Sequence, residues 1–221
     1  MNLNMDRARA NMVEQQIRPW AVLDQTVLDT FRFLPREKFV PPQWQNLAFA
    51  DIEIPLGHGE HMMQPRVEAR MLQALAIQPS DDCLEIGTGS GFMTACMTHL
   101  GRHTDSVDLY PDLSQQAESR LHAAHLSNFK LYTDDAAYGW EGNSGKLYDV
   151  IAVTGSIPSY IPAFEQRLAL GGRLFIVVGS PPAMQAMLVT REDHDTFERT
   201  VLFETVLKPL DGAEPSATFS F

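Results

Sequence analysis

The residues best placed to do chemistry lie in one run, Cys83-Leu84-Glu85-Ile86-Gly87-Thr88-Gly89-Ser90-Gly91. Cys83, Leu84 and Ile86 form a short apolar run of the kind that ends a buried parallel strand. Three alternating glycines then permit positive φ and leave no Cβ in the way of a ligand. Phe92 to Leu100 follows as a helix, with Met93, Cys96, Met97 and Leu100 on one stripe. Its N-terminus offers unpaired N–H groups to whatever the loop holds. The spacing is G-x-G-x-G. The dinucleotide fingerprint G-x-G-x-x-G needs a third glycine where Phe92 stands, which disfavours a nicotinamide cofactor. Glu85 adds a carboxylate two positions before the first glycine.

Other reactive groups fall at the ends of later apolar runs, where ligands bind in open α/β sheets. Asp108, in Val107-Asp108-Leu109, is a short acid on a strand tip that can accept from both hydroxyls of a ribose. Thr133-Asp134-Asp135-Ala136 ends the next run. Asp135 there suits an amino group and Ala136 a backbone N–H, although paired aspartates also make turns. Thr154, before Gly155-Ser156, puts a hydroxyl near the same place or caps the next helix. His58 and His61 lie close together, but no Cys, Asp or Glu completes a metal spacing, so no metal is expected. Gly89-Ser90-Gly91 is not a nucleophile elbow, because Thr88 stands where a glycine is needed.

These groups need elements to hold them. From residue 82, strand-like runs at 82–86, 104–109, 129–133, 148–154 and 172–178 alternate with helical runs at 91–100, 113–126 and 159–169. That alternation implies a doubly wound parallel sheet. Two late strands, 186–191 and 200–207, form an antiparallel pair. The N-terminal third reads as helices: 5–18 stopped by Pro19, a second capped by Asp24 and ended by Pro35, and a third started by Pro65. The division expected is a helical segment over 1–78 packed on an α/β core over 79–221.

The chain has 221 residues and a net charge of −11. With no basic cluster, binding to a nucleic-acid backbone is not expected. No run is long enough to span a membrane and the first twenty residues lack an apolar core, so a cytoplasmic setting is expected. Cys83 and Cys96 read as buried free thiols. Oligomeric state is not readable.

E-x-G-x-G-x-G resembles the first motif of S-adenosylmethionine-dependent methyltransferases. The chain from about residue 12 to about residue 180 further resembles the protein-L-isoaspartate O-methyltransferases. Leu34-Pro35-Arg36-Glu37-Lys38-Phe39-Val40-Pro41 is similar to their "PREKFVP", and Ile54 to Gly59 to "LPIGxG". Leu84 to Gly91 matches "LEIGTGSG", Tyr148 to Thr154 is similar to "FDxIxVT", and Gly171 to Leu174 to "GGRL". The resemblance implies a Rossmann-like methyltransferase fold with an N-terminal helical extension. It implies an enzyme that methylates a carboxylate of a protein or peptide, with S-adenosyl-L-methionine as cofactor. It places that cofactor against Glu85, Gly87, Thr88, Gly89, Gly91, Asp108, Leu109, Asp135 and Ala136. The family's "GDG" reads Asp134-Asp135-Ala136 here, which keeps the acid. Its "GQTISQP" reads Gly59-Glu60-His61-Met62-Met63-Gln64-Pro65. The catalytic serine is therefore Met63, which cannot donate a hydrogen bond. His61 and Thr154 are the remaining candidates at the reacting end. A different, small or apolar acceptor, or cofactor binding without turnover, stands beside the isoaspartyl reading. The ending Glu214 to Phe221 also departs from the family.

Overall fold

The computed structural model describes residues 3–213; the departing ending, 214–221, lies outside them. The chain opens with α1 (Leu3–Met12), which widens to a π-helical turn over Val13–Ile17 and tightens to 3₁₀ at Arg18–Trp20 around Pro19. The single helix expected over 5–18 is therefore three segments of different pitch. α2 (Gln25–Phe33) is capped as expected: Asp24 Oδ1 accepts from the Thr26 and Val27 N–H groups at 2.8 and 3.3 Å. Pro35 follows its end. α3 (Pro65–Leu75) starts on Pro65, whose missing N–H costs nothing at a first helical position.

Between α2 and α3 stands a feature not expected from the sequence, a hairpin of β1 (Ile54–Gly57) and β2 (Glu60–Met62). Its strands are too short to show an alternating pattern, and Pro55 argues against one. His58 turns the hairpin at φ +52°.

The main sheet contains β3 (Asp82–Ile86), β4 (His103–Asp108), β5 (Phe129–Thr133), β6 (Tyr148–Ile157), β7 (Leu168–Ser180), β8 (Ala183–Arg191) and β9 (Phe197–Glu204). Their order is β5-β4-β3-β6-β7-β8-β9. The first five are mutually parallel, and β8 and β9 join by antiparallel pairing. The doubly wound sheet and the late antiparallel pair are thus as expected. Connecting helices are α4 (Phe92–Leu100), α5 (Pro111–Ala123) and α6 (Pro162–Glu165). α6 is much shorter than the helix expected over 159–169. Pro158 and Pro162 confine it, and the chain is already extended at Leu168.

α4 is buried from Phe92 to Thr98, on more than the expected stripe, because the N-terminal helices cover it. Phe92 meets Phe31 and Phe39 edge to face, each at 5.6 Å between ring centroids. One apolar cluster therefore runs from Met12, Val13 and Phe31 through α3 and α4 to Val150 and Phe175 on the sheet. Cys83 and Cys96 lie in it as free thiols. No helix among the described residues is long and apolar enough to cross a membrane.

Candidate active site

The chain leaves β3 toward β4 on one flank of the sheet and leaves β6 toward β7 on the other. A crevice opens where such strands diverge, beyond their carboxyl ends. Here a cleft opens at that place, lined by the ends of β3, β4, β5 and β6. The loop after β3 forms its floor. Gly91 ends that loop at φ +83°, where a Cβ would come within 2.9 Å of the Ala117 Cβ on α5. Only glycine lets loop and helix close up here.

Asp108 at the tip of β4 is 7% exposed, so it is not a solvated strand end. Its Oδ2 accepts from the Gly89 N–H at 2.7 Å and its Oδ1 from the Tyr110 N–H at 2.9 Å. Burial pushes this carboxyl up, and the two N–H bonds pull it back. Each oxygen has a second lone pair left for a ligand, and the residue lines the cleft. Leu109 is exposed and lines the wall beside it.

After β5 the two aspartates divide the work. Asp134 accepts from the Asp135 N–H and from the Trp140 indole N–H at 3.0 Å, which makes it a turn residue. Asp135 gives one oxygen to the Ala137 N–H at 3.0 Å, and its Oδ2 makes no hydrogen bond among the described residues. Asp135 and Ala136 both line the cleft.

Glu85 and Thr88 do not line the main cleft; they lie beneath the loop. Thr88 shares a 2.6 Å hydrogen bond with Ser106, and Ser106 and Thr94 both donate to Glu85 Oε2. Glu85 Oε1 is buried without a partner. Glu85 lines a small side pocket together with Glu68, Met63 and Met93. This pocket shares Leu56, His61, Met63, Gly87, Gly89 and Thr154 with the cleft. A buried carboxyl with an unused oxygen, in a side pocket that adjoins an acidic cleft, is a polar group left for a ligand to satisfy.

Burial pushes Glu85 up to about 8, with Ser106 and Thr94 opposing. A carboxyl raised by folding favours its protonated form, so its stabilising contribution holds below about pH 4.5 and is lost as pH rises through about 8. Glu85→Gln removes this titration. The melting temperature of the variant minus that of the natural protein is expected to grow between pH 5 and pH 9, by about 2–4 °C per kcal/mol. A difference that does not change with pH would mean that Glu85 is ionised throughout.

Thr154 caps no helix. It lies within β6, where the three residues between Ala152 and Ser156 oppose the one between Phe175 and Val177. The resulting bulge turns its hydroxyl onto the Ile86 and Gly87 carbonyls, at 2.9 and 2.7 Å. The group braces the loop while lining the cleft. His61 is exposed at the cleft mouth on β2 and Met63 is buried just beyond it, so the hairpin brings both to the cleft. The Met63 carbonyl is fixed by Arg36, whose Nη2 donates to it at 2.8 Å.

One wall was missed by sequence reasoning. After β9 the chain crosses the cleft as a strap, Leu207 to Asp211, in place of the strand continuing to 207. Ser156 pins the strap. Its N–H donates to the Lys208 carbonyl at 3.0 Å, its hydroxyl to the Leu207 carbonyl at 2.9 Å, and its carbonyl accepts from the Leu210 N–H at 2.9 Å. Lys208 forms ion pairs with Glu60 on the hairpin and with Asp211. Pro209 and Asp211-Gly212 were the available signal, since they mark a turn where a strand should end. Among the described residues no cluster of His, Cys, Asp or Glu could hold a metal ion.

Comparison with known proteins adds to this geometry. The family model described as protein-L-isoaspartate (D-aspartate) O-methyltransferase matches residues 7–214. The chain is 36% identical over 210 residues to the protein-L-isoaspartate O-methyltransferase of Koribacter versatilis, covering 94% of this chain and 91% of that one. It is 37% identical to the enzyme of the same name from Protochlamydia amoebophila, covering 95% and 99%. The fold superposes with a TM-score of 0.79 on a putative protein-L-isoaspartate O-methyltransferase of Plasmodium falciparum in complex with S-adenosyl-L-homocysteine. That chain is 18% identical, and the match covers 93% of this chain and 97% of that one. The match extends past both ends of the segment in which the motifs were recognised, and it takes in the hairpin and the strap. The chain belongs to the protein-L-isoaspartate (D-aspartate) O-methyltransferase family.

Proposed function

We propose that this protein transfers a methyl group from S-adenosylmethionine to the carboxylate of an isoaspartyl residue in a protein or peptide. The observation that carries this reading is the continuous cleft. It runs from the acids at the ends of β4 and β5, over the glycine loop, to His61 and Met63 on the hairpin side. Membership of the family supports the same reaction. Neither the cleft nor the relatives favour another acceptor or a role without turnover.

The residues present fit the cofactor. Asp108 has lone pairs free for hydroxyls, Asp135 has an unused oxygen, and Glu85 Oε1 is unpaired in the adjoining side pocket. When bound, the cofactor supplies an electrophilic methyl group on a sulfonium. The acceptor carboxylate is ionised at neutral pH, its pKa lying near ~4, so the site needs no general base. The protein's task is to align the carboxylate oxygen with the methyl carbon and to keep water out. Leu56 and Met63 are apolar walls for that purpose, and Thr154 holds the loop in place. Two buried free thiols suit a reducing, cytoplasmic setting.

Position 63 tests the assignment. The natural protein is expected to methylate an isoaspartyl peptide, and to leave the matching α-aspartyl peptide unmodified, in a radiolabelled methyl-transfer assay. Met63→Ser should change the rate by less than about tenfold, because the natural chain must already hold the carboxylate with other donors. A gain on the order of 10²–10³, the size of one positioning hydrogen bond, would show that nothing replaced the serine. Absence of isoaspartyl turnover in both proteins would refute the proposed function.

A further inference from the structure

We infer that Lys208 binds the acceptor's carboxylate, and that Glu60 occupies Lys208 until the acceptor arrives. The inference rests on the reaction proposed above and names the group that replaces the missing serine.

The cleft poses an electrostatic problem for its own substrate. Its lining contains the carboxylates of Glu53, Glu60, Asp108, Asp134, Asp135 and Asp211. That set favours a cationic cofactor and repels an anionic acceptor. Met63 has no hydrogen to donate. Among the described lining residues Lys208 is the one Lys or Arg. Its main chain is fixed by Ser156, while its side chain is about one-third exposed and is held only by the carboxylates of Glu60 and Asp211. A lysine ammonium has three donors on a flexible stem, so it can exchange one carboxylate for another without moving the backbone.

Glu60 is the partner to be exchanged. It stands on β2 next to His61, where the family has glutamine, and its carboxylate reaches Lys208 from the hairpin. Asp211 holds the same ammonium from the strap and can stay in place. When the acceptor's carboxylate takes the Glu60 position, one ion pair replaces another at Lys208, and the displaced Glu60 carboxylate turns to water. The acceptor oxygen forms a bond to the methyl carbon, the carbon–sulfur bond breaks, and its electron pair stays on sulfur as a neutral thioether. No proton moves. The product is a neutral ester, which cannot compete with Glu60 for the ammonium. Restoration of the Lys208–Glu60 pair therefore favours product release.

The natural full-length protein, Lys208→Met, Lys208→Arg and Glu60→Gln are compared with an isoaspartyl peptide and saturating S-adenosylmethionine. S-adenosylhomocysteine affinity is measured by calorimetry in parallel. Lys208→Met should raise the peptide KM at least about tenfold, as expected for losing a hydrogen bond to a charged group. S-adenosylhomocysteine affinity should stay within about twofold, and Lys208→Arg should restore most of the KM. Glu60→Gln should lower the peptide KM, because the internal competitor is gone. If Lys208 only ties the strap to the hairpin, Glu60→Gln breaks the same tie and raises KM as Lys208→Met does. That result, or an unchanged KM in Lys208→Met, overturns the inference while natural turnover leaves the proposed function standing. If the natural protein itself shows no isoaspartyl turnover, both fall.

Discussion

Arg36→Met is expected to destabilise the protein by about 3–5 kcal/mol, the cost of leaving a buried charge without its partner. Arg36 is fully buried and Glu68 is 1% exposed. The guanidinium pairs with Glu68, donates to the Ala48 carbonyl at 2.9 Å and to the Met63 carbonyl at 2.8 Å, and lies 5.0 Å over the Phe92 ring. Methionine keeps the apolar stem against Phe92 but deletes every donor. Two carbonyls and a carboxylate would then face an apolar core with nothing to satisfy them. Urea unfolding of the variant measures the loss. A second change, Glu68→Met, should recover the part that comes from the stranded carboxylate, while the Ala48 and Met63 carbonyls stay unsatisfied. A loss below about 1 kcal/mol in the single variant would show that water reaches the pair. A kinetic consequence should accompany it: with Met63 no longer held, KM for the acceptor should rise more than the dissociation constant of the cofactor.

Arg36 also shows where the sequence was legible and where it was not. Its segment was recognisable by resemblance, but its role was invisible, because that role depends on Ala48, Met63 and Glu68 meeting at one point. The glycine loop was readable because its chemistry is local: strand, turn and helix start occur in consecutive residues. Asp108 and Asp135 were readable because strand tips in an alternating β/α pattern converge on one edge. Glu85 was placed against the cofactor by motif, but the alternation of side chains along β3 puts it under the loop, in a side pocket. Thr154 was read as a possible helix cap because the bulge that re-aims it appears only when β6 pairs with β7. The strap was missed for a similar reason. Leu207 to Asp211 looks like the end of a strand until Ser156 is seen to hold it across the cleft.

Gly87→Val is expected to weaken cofactor binding at least about a hundredfold, and the reason is the way loop and bulge lock together. Gly87 sits at φ +100°, a conformation that costs a β-branched residue about 1–3 kcal/mol. A Cβ there would also lie 2.4 Å from Thr154 Oγ1. Thr154 cannot swing aside freely, because the same oxygen is bonded to the carbonyls of Ile86 and Gly87. The loop must therefore move away from β6, and it takes with it the Gly89 N–H that fixes Asp108. One displacement thus disturbs both the floor of the cleft and the carboxylate at the end of β4. The strain and the overlap can be separated. Gly87→Ala combined with Thr154→Ala removes the Oγ1 contact and leaves only the cost of positive φ, so its affinity should lie between those of Gly87→Val and the natural protein. Calorimetric titration with S-adenosylhomocysteine, beside thermal unfolding to confirm that each variant is folded, provides the measurement. A folded Gly87→Val that binds within about threefold of the natural protein would mean that the cofactor does not rest on this loop.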